Sequence, residues 1–178
     1  QFSSILTAFT NPILGVVVGA VFTGVIQSSA ASVAILQALS LTGSITYGMA
    51  LPIIMGQNIG TCVTALLSSI GVNRNARRVA VVHISFNLIG TVVFLVLFFG
   101  TDLFFHFPFM DMGIDPVGIA MVHSIFNIAT TLLLLPFSKQ LVKIANVVIK
   151  DQAGDQKFTF VDSRLLATPS VAIAECNN

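Results

Sequence analysis

Charge is the scarcest ingredient of this sequence. Its first 73 residues contain no Asp, Glu, Lys, Arg or His, and the first four of these types make up only 8% of the whole chain. A stretch that long without charge has no ordinary water-facing surface, so it is expected to face lipid or protein interior. A net charge of +1 and a single basic cluster, "NRNARR" at 73–78, are too little for a phosphate-backbone surface, and no nucleic-acid partner is expected. Two cysteines, Cys62 and Cys176, supply neither a disulfide framework nor a metal cage. The sequence also lacks a nucleophile with its base, paired acids, a Gly-rich phosphate loop with Lys, and a CxxC pair. Enzyme activity is therefore not expected. The first apolar run has no basic region before it and no A-x-A pattern, so no signal peptide is read there, and a fragment of a longer protein is expected.

What is present is apolar: 55% of residues are hydrophobic and the mean hydropathy is +0.95. The expected class is an all-α membrane protein. Two runs, 79–100 and 116–137, reach the roughly 20 apolar residues that a helical crossing needs. Arg74, Arg77 and Arg78 precede the first; Asp102, Asp111 and Asp115 lie between the two; Lys139, Lys143 and Lys150 follow. The positive-inside rule puts both basic flanks in the cytoplasm and the loop 101–115 outside.

The part before Arg74 reads differently, because its apolar runs are short and interrupted by "QSSA", "SLTGSIT" and "GQNIGT". These are rich in Gly and capping residues, which predicts broken or re-entrant helical hairpins with breaks at 27–29 and 56–61. Residues 1–150 then form the membrane unit and 151–178 a polar cytoplasmic linker. An internal echo, "AVVHISFN" at 80–87 and "AMVHSIFN" at 120–127, suggests a transporter-like build and keeps Thr91 and Thr131 in register.

Lipid offers no hydrogen-bond partners, so a break at membrane depth marks either protein contact or a wet cavity. A helix starting after Gln27 would gather the hydroxyls of Ser28 and Ser29, with Ser32 one turn on, around unpaired N–H groups at a positive dipole end, a place suited to an anion. Gln57, Asn58 and Thr61, with free carbonyls, could supply oxygens to sodium. The same residues also fit plain packing: Gly15 with Gly19, and Gly56 with Gly60, have the spacing by which membrane helices approach closely. His83 with Asn87 and His123 with Asn127 are i, i+4 pairs, read as structural groups hydrogen-bonding to neighbouring helices rather than as a proton relay.

The ordered run "GVIQSSAASVAI", "LPIIMGQNIGTCVTALL" and "RRVAVVHISFNLIGT" resembles the sodium/phosphate cotransporter family in its bacterial form, over roughly residues 11–137. The resemblance implies one repeat of an inverted-repeat secondary transporter, importing inorganic phosphate with sodium across the cytoplasmic membrane by alternating access. It implies Gln27, Ser28 and Ser29 as phosphate and sodium contacts, with Asn58 and Thr61 at or near a sodium site. It also implies a second repeat from elsewhere in the chain or from another copy, membrane lipid around it, and sodium as the sole cofactor. Two positions depart from the family pattern: Ala30 replaces a third serine, and Gln57 replaces an alanine, removing a hydroxyl and adding an amide. "DSRLLATPSVAIAEC" (162–176) resembles the approach to a cytoplasmic helical domain of phosphate-regulon regulators. Two other functions share these residues: transport of another oxyanion, and a phosphate-responsive membrane scaffold that recruits a partner through its tail.

Overall fold

Helix α1 (Pro12–Ile26) begins where Asn11, in extended conformation, accepts hydrogen bonds from the N–H groups of Ile13 and Leu14 at 3.0 and 3.3 Å. Pro12 occupies the first helical position, where no donor is needed. The computed structural model describes residues 11–150; the tail read above as a linker lies outside the described residues. The helix stops at Gln27, whose backbone is left-handed (φ 56, ψ 24) and whose N–H donates to Thr23 O at 2.8 Å. Ser28 is extended (φ −141), and its Oγ accepts from Ala31 N–H at 3.3 Å to start α2 (Ser29–Ser40). The expected break at 27–29 is therefore present.

The second expected break is not. Residues 56–61 lie inside one continuous helix, α3 (Tyr47–Ser68), of 22 residues. Gly56 and Gly60 serve close approach rather than interruption: a Cβ at Gly56 would stand 2.1 Å from Val16 O, and one at Gly60 2.6 Å from Ala20 O. Small residues let two membrane backbones touch, and the helix needs no unwinding to achieve it. Helix α4 (Arg74–Phe105) follows, then a 3₁₀ turn (Pro108–Asp111) and α5 (Pro116–Leu134), capped by Asp115 Oδ1 accepting from Gly118 N–H at 2.6 Å. A second 3₁₀ turn, Leu135–Phe137, leads into α6 (Ser138–Val148). Among the described residues three helical stretches, not the expected two, are long and apolar enough to cross a membrane: Tyr47–Ser68, Arg74–Phe105 and Pro116–Val148. No strand occurs among them.

The contacts give the directions. Helix α1 runs parallel to α3, with Gly15 against Pro52, Gly19 against Ile53 and Gly24 against Val63. Helix α2 returns, since Ser32 meets Gln57 and Gln37 Nε2 donates to Pro116 O at 2.8 Å. Helices α1 and α2 thus form a helical hairpin with its tip at Gln27 and Ser28. Helix α4 is antiparallel to α3, joined by Thr91 Oγ1 to Met55 O (3.4 Å) and Asn87 Nδ2 to Cys62 Sγ (3.4 Å). Helix α5 runs back along α4, with the Phe94 and Phe126 rings 5.5 Å apart. Arg78 then ties the far end of α6 to the start of α4 by donating to Ile149 O at 2.9 and 3.2 Å.

A buried apolar cluster of Leu36, Ile45, Met49, Ala50, Ile54, Ile114 and Ile119 holds the opposite end, nearer the three aspartates. Ile45 O accepts from Ile114 N–H at 3.0 Å there, which pins the loop after α2 to the loop before α5.

Candidate ion-binding site

The hairpin and α3 bring three polar side chains together in the interior. Thr23 on α1 and Ser32 on α2 are both 0% exposed, and Gln57 on α3 is 1% exposed. Thr23 Oγ1 and Ser32 Oγ lie 2.7 Å apart, closing the hairpin from one arm to the other. Gln57 Nε2 donates to Ser32 Oγ at 2.9 Å and to Ser32 O at 3.1 Å. A carbonyl only accepts, so this second contact fixes which end of the Gln57 amide is nitrogen. Its other end, Oε1, is buried and has no hydrogen-bond partner among the described residues. An acceptor left in that state costs about 1–3 kcal/mol, which a cation or a water molecule would recover.

Depth follows from the neighbours on α4. Gln57 falls between Met55, which meets Thr91, and Cys62, which meets Asn87. It therefore stands level with the middle of the apolar run 79–100. The tip lies closer to the basic end, because Gly24 already stands beside Val63 and Gln27 is three residues farther along.

The other residues singled out from the sequence are placed as follows. Gln27 is exposed at the tip, and Ser28 and Ser29 are half-buried beside it. Gln27 holds a left-handed backbone that costs a non-glycine residue roughly 1–2 kcal/mol. Asn58 is buried, but its Nδ2 donates within its own helix to Ile54 O at 2.9 Å. Thr61 Oγ1 likewise donates to Asn58 O at 2.6 Å. The free carbonyls expected of an unwound "GQNIGT" are not there, because the helix continues through it. Ser32 and Gln57 meet; Gln27, Ser28 and Ser29 form a separate group at the tip.

Thr23 was missed by sequence reasoning, although a signal existed. Gly15, Gly19 and Thr23 are spaced four apart and are the buried residues of α1, so a hydroxyl on the glycine face had to point at the partner helix. The His/Asn pairs take the structural role expected of them in part: Asn87 Nδ2 donates to His83 O at 3.0 Å and Asn127 Nδ2 to His123 O at 2.7 Å, each inside its own helix. Only Asn87 also reaches a neighbouring helix, at Cys62. The echo does not carry its surroundings along, since Thr91 is buried and Thr131 is exposed. No group of three His, Cys, Asp or Glu able to hold a metal occurs among the described residues.

These elements define a multi-pass membrane protein with a helical hairpin packed on a continuous helix and an uncharged polar cluster between them. The sequence model of the Na+/Pi-cotransporter family matches residues 1–121. The chain belongs to that family. Among its relatives, "Uncharacterized protein YqeW" of Bacillus subtilis (strain 168) is 29% identical over 74% of this chain and 42% of its own length. The Escherichia coli (strain K12) protein named "Putative inorganic phosphate export protein YjbB" is 26% identical over 91% of this chain and 30% of its own length. Human "Sodium-dependent phosphate transport protein 2B" is 38% identical over 53% of this chain and 15% of its own length. The chain thus spans less than half the length of each. The latter two relatives are named for transport, not for an enzyme reaction. No solved structure matches the chain.

Proposed function

We propose that this chain is one repeat of a sodium-coupled transporter of inorganic phosphate in the cell membrane, with its basic flanks in the cytoplasm. The observation that carries the reading is the orphaned, buried Gln57 Oε1 at mid-depth beside the hairpin. An uncharged amide oxygen next to two hydroxyls suits a weakly held monovalent cation, which must be released again. Sodium would be coordinated there by Gln57, with Thr23 and Ser32 positioning the amide; Asn58 and Thr61 would support the same stretch of α3. At the tip, the N–H groups at the start of α2 and the hydroxyls of Ser28 and Ser29 would receive phosphate oxygens, with Gln27 beside them. Neither group carries a formal charge, so binding a doubly charged oxyanion there does not lock it in place.

The tip and the outer face of α1 are open in this chain: Gln27 is exposed, as are Ile13, Val17, Val21 and Val25. A polar break cannot face acyl chains without hydrogen-bond partners. A second repeat, from the rest of the chain or another copy, would cover this face and complete the site, and relative movement of the two would alternate access.

The test is radiolabelled phosphate flux in proteoliposomes of the full-length protein. An inward sodium gradient should drive concentrative uptake, and replacing sodium with choline should abolish it. Equal uptake in both removes the coupling claim. A second reading, outward phosphate flux, is favoured by the name of the Escherichia coli relative, which matches across most of this chain. Loading phosphate inside the same vesicles and following its exit distinguishes the two.

A further inference from the structure

A groove of about 490 Å³ lies at the basic end, well away from the hairpin cluster, and falls within the roughly 300–1,000 Å³ of small-molecule sites. Its walls come from three places: Leu66 on α3 with Ser69 and Ile70 in the turn after it, Val81 on α4, and Val148 with Ile149 at the end of α6. Arg77 stands in the same lining. Arg78 is committed elsewhere, to the Ile149 carbonyl, and by that bond holds the third wall in place.

We propose that this groove binds one anionic phospholipid of the adjoining leaflet, with the lipid phosphate on the Arg77 guanidinium and an acyl chain along Leu66, Ile70 and Val81.

Three observations select a lipid. The walls are mostly apolar and open outward: Leu66, on the apolar helix α3, is 48% exposed, and Ile70, in the turn just after it, is 73% exposed. The cation of the lining, Arg77, is exposed, so its guanidinium is accessible to a headgroup. The sign is right too: the described Lys and Arg lie on the start of α4, on α6 and at Lys150, whereas Asp102, Asp111 and Asp115 sit at the other end of the helices. Basic pockets between membrane helices on the cytoplasmic side are where anionic headgroups bind, and guanidinium pairs with phosphate oxygens in a bidentate manner. A free phosphate ion would use the Arg but gain nothing from Ile70 and Val81.

The test is native mass spectrometry of the full-length protein titrated in detergent with phosphatidylglycerol or phosphatidylcholine. The expected result is one phosphatidylglycerol per copy, held more tightly than phosphatidylcholine. Arg77→Gln should weaken it about fivefold, the factor equivalent to the roughly 1 kcal/mol a basic residue contributes at an anionic surface. Arg77→Lys, which keeps the charge but loses the bidentate fork, should fall between wild type and Arg77→Gln, and Ile70→Ser should reduce the preference for a two-chain lipid over glycerol phosphate. Arg77 and Ile70 are exposed, so melting temperatures should stay with wild type. Four results would each overturn the proposal: equal affinity for the two lipids, no change in Arg77→Gln, displacement of lipid by inorganic phosphate, or a several-fold gain in lipid binding on truncation after Lys150, which would make the tail the occupant.

Discussion

Substituting Gly56 by alanine tests the packing on which the polar cluster depends. A Cβ there would lie 2.1 Å from Val16 O, 2.8 Å from Val16 C and 2.9 Å from Val16 Cα. All three are backbone atoms of α1, so no flexible side chain can swing aside. Ordinary contact begins near 3.4 Å, so the two helices must part locally by about 1.3 Å. Carried by α1, that shift stretches the Thr23–Ser32 hydroxyl contact from 2.7 Å to roughly 4 Å, past hydrogen-bond range. Overpacking costs about 1–3 kcal/mol and the lost bond about 0.5–1.5 kcal/mol, while alanine recovers about 1 kcal/mol of helix propensity over glycine. The net loss is about 0.5–3.5 kcal/mol, or a fall in melting temperature of roughly 1–14 °C at the usual 2–4 °C per kcal/mol for a unit of this size. The assay is thermal denaturation of the full-length protein in detergent, with Gly100→Ala as control. A Cβ at Gly100 meets only Val96 Cγ1 at 4.0 Å, so that variant should melt with wild type or above it. A Gly56→Ala protein that melts at or above wild type would show that the backbones are not in contact there.

Three other outcomes are expected. Gln57→Met removes the orphaned oxygen at similar volume, so basal stability should change by less than about 1.5 kcal/mol; the sodium-dependent rise in melting temperature, measured against choline, should vanish, and its persistence would exclude Gln57 as a ligand. Ser28→Ala removes the cap of α2 and should cost about 1 kcal/mol together with phosphate uptake. Ser29→Ala should lower uptake with little effect on melting, and equal loss of folding and uptake would assign it to packing.

The hairpin break was legible because two local signals agree there. A polar run interrupts an apolar one, and Ser28 is a residue whose hydroxyl caps a helix start. At 56–61 the same kind of run misleads. Glycine followed by Gln57, Asn58 and Thr61 looks like a loop, but Asn58 and Thr61 bond to carbonyls of their own helix and Gln57 to the hairpin. Those bonds make polarity compatible with helix, and a single sequence does not print them. The third crossing was hidden for the same reason, since α3 is polar where it is buried by protein. The uninterrupted runs 79–100 and 116–137 were found because lipid contact demands an apolar surface, although α4 extends beyond the run at both ends. Thr23 was passed over because a lone threonine among valines and glycines reads as small, and only its spacing from Gly15 and Gly19 betrays its direction.

Packing and ion binding were set against each other in the sequence, yet the ion site proposed above depends on the packing. The glycines of α1 and α3 bring the two backbones together, and only at that separation do Thr23, Ser32 and Gln57 reach one another. In the proposed site these three uncharged side chains would take the place of a fixed cation or carboxylate, whose burial within a bilayer costs several kcal/mol. The amide oxygen is the acceptor with capacity to spare: the amide nitrogen is committed to Ser32, and no described donor meets the oxygen. A residue serving solely to join α2 to α3 would gain from a donor opposite that oxygen, and none is found among the described residues. An uncompensated acceptor is tolerable if a transient partner arrives to meet it, which gives the pair of α1 and α3 a reason to be packed so closely around a position that stays polar.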